Sequence, residues 1–219
     1  QAFTFDHSGN LSFEDFKNKL SSRTKILALT HCSNTLGTIN EIEKYIQEAK
    51  KIGAMVLIDG AQYVANRKVD VQNLNCDFYV FSAHKLFGPY GLGILYGKKE
   101  ILNQMPPYQG GGNMISDVSI ESSTYNQLPY KFEAGTPSIA EVIAFKSSIE
   151  YVQKIGWNKI ESHENELLQY ATSQLKNIDG LEIFGEAKNK TAIISFLIQG
   201  LHHADIGQIL DQENVAVRV

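Results

Sequence analysis

The stretch FYVFSAHKLFGPYGLG, residues 78–93, runs from an apolar segment, Phe78 to Phe81, into the polar group Ser82, Ala83, His84 and Lys85. Three glycines and a proline follow between Gly88 and Gly93. A short continuous apolar run reads as a strand buried within a sheet. The polar group lies just beyond the carboxyl end of that strand, where ligands collect in open α/β sheets. A lysine at the lip of a buried strand, between a hydroxyl, an imidazole and glycine-rich backbone, marks a candidate site and fixes the class of sheet to look for.

Reading outward, AMVLID (54–59) is a second continuous apolar strand and KILALTH (25–31) a third. Between them NEIEKYIQEAKKIG (40–53) is the clearest helix. Ile42, Tyr45, Ile46 and Ala49 form its apolar stripe, Asn40 and Glu43 a capping-box start, and Gly53 its end. SFEDFKNKL (12–20) predicts a shorter helix capped by Ser12, and GLGILYG (91–97) a further strand. Strand, helix, strand with near-continuous apolar strands predicts an α/β, mainly parallel sheet with helices on both faces.

The texture changes after residue 97. Residues 105–130 carry three of the five prolines, Gly110 to Gly112 and little periodicity, which predicts a long functional loop. Residues 138–154 and 158–177 read as two helices parted by Gly156. LEIFG (181–185), TAIISFLI (191–198) and VAVRV (215–219) read as strands, with a helix over 204–213. The expected division is a large domain over 1–146 and a smaller α+β domain over 147–219.

The 219 residues are 43% hydrophobic and 20% charged, an ordinary soluble globular composition. A net charge of −4 argues against a nucleic-acid or anionic-membrane partner, which would favour a basic face. No apolar run approaches the roughly 18 residues of a membrane span. With no signal-peptide pattern and no initiator Met, the chain is expected to begin mid-protein and to work in the cytoplasm. Cys32 and Cys76 read as free thiols of a reducing compartment, and no Cys-x-x-Cys or His-x-x-x-His spacing suggests a metal.

Three polar constellations follow strands: Ser33 and Asn34 after the first, Asp59 and Gln62 after the second, Ser82, His84 and Lys85 after the third. Each has an ordinary explanation. Asp59 could cap a helix beginning at Ala61, Asn34 could make a turn, and Lys85 could point at solvent. Three consecutive strands ending this way nevertheless suggest convergence on one ligand. A lysine able to attack a carbonyl, together with a carboxylate able to keep a heteroaromatic nitrogen protonated, is the pair that pyridoxal phosphate requires. Ser, His and glycine-associated N–H groups suit its phosphate.

HCSNTLGTIN (31–40), LIDGAQ (57–62), DFYVFSAHKLFGPYGLGILYG (77–97), GGGNMI (110–115) and FEAGTPSIA (132–140) together resemble the class V, fold-type I pyridoxal-phosphate enzymes. Within that class they resemble the cysteine desulfurases of the SufS type, close to selenocysteine lyases. The resemblance implies that Lys85 joins the cofactor covalently and that Asp59 pairs with its ring nitrogen. It gives Gln62 the phenolic oxygen, with Asn34 nearby, and gives the phosphate to Ser82 and His84. By the same resemblance His84 is expected to assist proton transfer, and Thr136 to reach the phosphate of the other subunit of a homodimer. The implied reaction converts L-cysteine to L-alanine, with the sulfur held as an enzyme persulfide for a sulfur-acceptor protein and iron–sulfur cluster assembly. A selenocysteine lyase acting on L-selenocysteine is the alternative enzyme, and a non-catalytic dimerising fragment the alternative outside catalysis. The family's ring-stacking histidine and phosphate threonine are expected before Gln1, and its sulfur-accepting cysteine loop and carboxylate-binding arginine after Val219. LHHADI (201–206) is not that loop, and Arg218 matches a family arginine just upstream of it. Cys32 is expected in the core, not as a substitute nucleophile.

Overall fold

A computed structural model describes residues 1–219. Its first helix, α1 (Phe13–Lys19), starts where the Ser12 hydroxyl accepts the Asp15 N–H at 3.2 Å. Four strands then form one sheet in chain order: β1 (Ile26–Thr30), β2 (Met55–Asp59), β3 (Phe78–Ser82) and β4 (Gly93–Gly97). β1, β2 and β3 are parallel, and β4 returns antiparallel to β3. Parallel neighbours need a crossover. Helix α2 (Ile42–Lys51) supplies it between β1 and β2, and the single turn α3 (Val71–Leu74) interrupts the one between β2 and β3.

The stripe read from the sequence of α2 is the buried one: Ile42, Tyr45, Ile46 and Ala49 are at most 2% exposed. It packs on Leu27, Leu29, Val56 and Ile58, which the register places on one face of the sheet. Each large side chain so buried contributes about 1.5–3 kcal/mol. Only this face is fully covered. On the other, Ile26 and Leu95 are more than half exposed and Ala28 is exposed. The start of α2 also differs. Asn40 does not cap it, because its side-chain amide donates to the Thr30 carbonyl at 2.8 Å and ties the helix entrance to the end of β1.

Asp77, at the head of β3, is 6% exposed. Its carboxylate accepts the Val56 N–H at 2.8 Å and meets the Lys50 and Lys98 ammonium groups, each at 3.2 Å. The contact pins β3, α2 and the residue before helix α4 (Lys99–Gln104) to one another.

The segment expected to be one long loop contains a hairpin, β5 (Ile115–Val118) with β6 (Ser123–Tyr125). Both strands are short and largely exposed, so neither shows an apolar alternation in the sequence. The two long helices lie as read: α5 (Ile139–Ile155) and α6 (Trp157–Leu175) meet at Gly156, whose φ of 89° breaks them. Residues 146 and 147 fall inside α5, and its Phe145 and Val152 both join the core under the sheet. β7 (Leu181–Phe184) and β8 (Ser195–Ile198) pair antiparallel, and α7 (His203–Gln212) follows. VAVRV (215–219), read as a strand, is paired with no strand within these 219 residues, and Val215, Val217 and Val219 are exposed. No helix is long and apolar enough to cross a membrane.

Replacing Asp77 with Ala strands one backbone donor and two ammonium groups. The variant is expected to lose about 2 kcal/mol of unfolding free energy in a urea titration. A loss under about 0.5 kcal/mol, the range of an ordinary surface change, would contradict a structural role for the network.

Candidate functional site

Parallel pairing brings the carboxyl ends of β1, β2 and β3 to one edge, with Thr30 opposite Asp59 and Asp59 opposite Val80. Beyond β1 the chain turns through residues 33–37. The Ser33 hydroxyl accepts the N–H groups of Thr35 and Leu36, which leaves Asn34 exposed at the tip. The C-terminal part of the chain straps this turn down. Thr191 N–H donates to the Gly37 carbonyl at 2.9 Å, Ile39 N–H to the Asn189 carbonyl at 2.9 Å, and the Ser195 hydroxyl to the Thr35 carbonyl.

Asp59 ends β2 with its side chain exposed. One carboxylate oxygen accepts the Ala61 N–H at 2.9 Å, the capping bond the sequence allows, although turns and not a helix follow. Gln62 lies in those turns, half-buried. Ser82 ends β3 opposite Gly93, and a 3-10 turn, Ala83–Leu86, carries His84 and Lys85. Three residues per turn place Ala83 and Leu86 on the same side. Both are buried, so the turn is anchored while His84 stays exposed and Lys85 half-buried. The His84 ring stacks on Tyr90, centroids 5.2 Å apart. The glycines divide in role. A Cβ on Gly88 would come within 2.6 Å of Phe145 and 2.8 Å of the Ala83 carbonyl oxygen, so this residue serves packing and not ligand approach. Gly91, at φ 83°, serves the turn.

Six of the seven residues singled out from the sequence therefore follow three neighbouring strand ends. Thr136 stands apart, exposed just before α5. Its segment is tied to the glycine-rich loop instead, Gly135 N–H to the Gly112 carbonyl at 2.8 Å and the Asn113 amide to the Gly135 carbonyl at 3.0 Å. The two cysteines are free and buried, and burial pushes both thiols up, away from the reactive thiolate. Cys32 rests 3.6 Å from the Thr191 hydroxyl in the strap, as a packing residue would.

Sequence reading passed over His31, Tyr63 and Tyr79. His31 follows β1 directly, buried, with its Nδ1 3.0 Å from the Tyr79 hydroxyl and its ring flat against Tyr63. Desolvation pushes the imidazole down from the usual 6.5 to about 4 and the Tyr79 phenol strongly up, so both are neutral near pH 7. The only signal in one dimension was a polar residue placed where an apolar run stops.

The aminotransferase class-V family profile matches residues 1–219. The chain is 47% identical over 213 residues to a cysteine desulfurase of Synechococcus elongatus, covering 97% of this chain and 34% of that protein. It is 47% identical over 212 residues to a cysteine desulfurase of Escherichia coli O8, covering 96% and 52% respectively. Among solved structures, the apo cysteine desulfurase of Thermococcus onnurineus superposes with a TM-score of 0.93 at 35% identity, over 100% of this chain and 55% of that one. The chain thus spans between about a third and a half of the length of these curated relatives.

His31 generates a pH dependence. Unfolded, its imidazole binds a proton below about 6.5; folded, it stays neutral down to about 4. Within that window the unfolded chain holds the extra proton, so stability falls as the pH falls, by roughly 3 kcal/mol in all. Between about pH 7 and pH 4 the native chain is expected to lose roughly that much more than a His31→Gln variant, measured by chemical denaturation. Parallel profiles for the two would contradict the buried neutral imidazole.

Proposed function

Because the chain belongs to the aminotransferase class-V family, we propose that it carries the cofactor-binding region of a pyridoxal-phosphate-dependent cysteine desulfurase. One observation carries this reading. A carboxylate, Asp59, and an amine, Lys85, follow adjacent parallel strands at the same sheet edge, with Gln62, Ser82, His84 and Asn34 around them.

The residues present fit the cofactor. Only one oxygen of the Asp59 carboxylate is engaged, by its own turn. Gln62, Ser82 and Lys85 are half-buried, with polar ends not spent on bonds inside the chain. Asp59 would face the ring nitrogen and hold a proton there, Gln62 and Asn34 would bond the phenolic oxygen, and Ser82 and His84 would take the phosphate. Lys85 would hold the group covalently through Nζ. When bound, pyridoxal phosphate supplies an electron sink for charge developing at the substrate carbon.

With its amine free, Lys85 would take a proton from the substrate Cα and return one later; its place on a 3-10 turn anchored by buried Ala83 and Leu86 would hold Nζ near one point. His84, exposed beside it, assists that transfer. The substrate is L-cysteine and the product L-alanine, with the sulfur passed on through a persulfide towards an acceptor protein and iron–sulfur cluster assembly. Thr136, exposed just before α5, fits a role at the phosphate of a second subunit, which makes the working unit a homodimer. The reading includes a cytoplasmic enzyme, in keeping with two reduced thiols.

The test uses the full-length protein loaded with pyridoxal phosphate and reduced with borohydride. Peptide mapping is expected to find the pyridoxyl group on Lys85, and the unreduced protein is expected to form alanine from cysteine. Label on Lys98 or Lys99, or alanine formation undiminished in Lys85→Ala, would overturn the assignment.

A further inference from the structure

Behind the Asp59–Gln62 turn lies a buried aromatic group that none of these roles uses. Tyr79, the second residue of β3, is 2% exposed, and its ring occupies the space that a side chain at residue 60 would need. A Cβ on Gly60 would come within 2.0 to 2.1 Å of the Tyr79 ring and hydroxyl. The same hydroxyl meets His31 Nδ1 at 3.0 Å. His31 in turn stacks on Tyr63, with ring centroids 3.4 Å apart and planes 8° from parallel. The turn is also bonded to both flanking strands. His31 N–H donates to the Asp59 carbonyl at 2.8 Å, and Gly60 N–H to the Val80 carbonyl at 2.9 Å.

We propose that Tyr79, His31 and Tyr63 are positioning residues that fix the Asp59–Gln62 turn, and through it aim the Asp59 carboxylate and the Gln62 amide at the cofactor ring. This rests on the cofactor reading above. Asp59 and Gln62 have little of their own to hold them: one carboxylate oxygen bonds within its own turn, and the amide bonds to nothing in the chain. A binding group works only when its support is locked by packing and by hydrogen bonds behind it. Here the support comes from two directions. Tyr79 sets how closely the turn approaches β3, because Gly60 rests against its ring. Tyr63, one residue past Gln62, is held by the face of an imidazole that is itself tied to the end of β1. The link joins two neutral groups, so it persists unchanged across the neutral pH range.

The experiment compares three variants of the full-length protein: Tyr79→Phe, Tyr63→Ala and Tyr63→Phe. Two quantities are read: amide hydrogen exchange at residues 60–64 without cofactor, and the dissociation constant for pyridoxal phosphate with the visible absorption of the bound form. Tyr63→Ala and Tyr79→Phe are expected to speed exchange in the turn, weaken binding about tenfold and shift the absorption. Tyr63→Phe keeps the stacked ring and is expected to match the native protein in both. If Tyr79→Phe fails to fold, the half-buried Tyr63 pair still decides. Unchanged exchange in Tyr63→Ala, or faster exchange with unaltered affinity, would overturn the proposal. A native protein that binds no pyridoxal phosphate overturns the cofactor reading instead, and the exchange data then judge separately whether these residues hold the turn.

Discussion

Parallel pairing of β1, β2 and β3 is the constraint on which the rest depends. Three chain segments that run the same way must all end at the same edge, and each must be carried back by a connection on a face of the sheet. The apolar strands are buried for hydrophobic reasons, but the direction in which they pair decides where their polar successors meet. Asn34, Asp59, Gln62, Ser82, His84 and Lys85 are neighbours because of that geometry and not because of proximity in sequence. Turning β4 antiparallel leads the chain through a glycine-rich loop and then away from this edge, so the fourth strand runs back from the site.

The edge is then stiffened from below and from the side. Below it, the core face carries Ile58 and Tyr79 side by side, and the Tyr79 ring reaches the underside of the turn at Gly60. At the side, residues 189–195 bond across to the turn that bears Asn34, so a segment late in the chain holds a loop near its start. The indole of Trp157 adds a bond to the Val64 carbonyl at 3.2 Å, tying α6 to the run of turns after β2. Loops ordinarily vary and move. Here the turns after β1 and β2 are tied by backbone bonds to elements outside themselves, and the loop after β3 by the Ser148 hydroxyl of α5, which donates to the Phe87 carbonyl at 3.0 Å.

Much of this was legible in the sequence for a specific reason. Continuous apolar runs that stop at Asp59 and at Ser82 give both the strand and its end, and the stripe on α2 gives the face that covers them. What was not legible depends on partners far away in the chain. Asn40 has the form of a helix cap, yet the Thr30 carbonyl competes for its amide, and nothing local reveals that. Ile26 and Ala28 are as apolar as Leu27 and Leu29, and only the register shows that they lie on the face away from α2. The part played by Tyr79 requires knowing that Gly60 lies across from it. Gly88 looks like a ligand-approach glycine, and only the position of Phe145 shows that packing excludes a side chain there. Spacing alone left the roles of Lys85 and Asp59 open, and the proposed ones are those that the family resemblance of the motifs implies.

The account stands or falls on whether the strand-end cluster receives one ring. The most direct measurement is a crystal structure of the full-length protein with pyridoxal phosphate bound. The expected result is a cofactor joined to Lys85, its ring nitrogen within about 3 Å of the Asp59 carboxylate, and its phosphate against Ser82 and His84. A cofactor held by a different lysine, or an Asp59 carboxylate turned away from the ring, would contradict it.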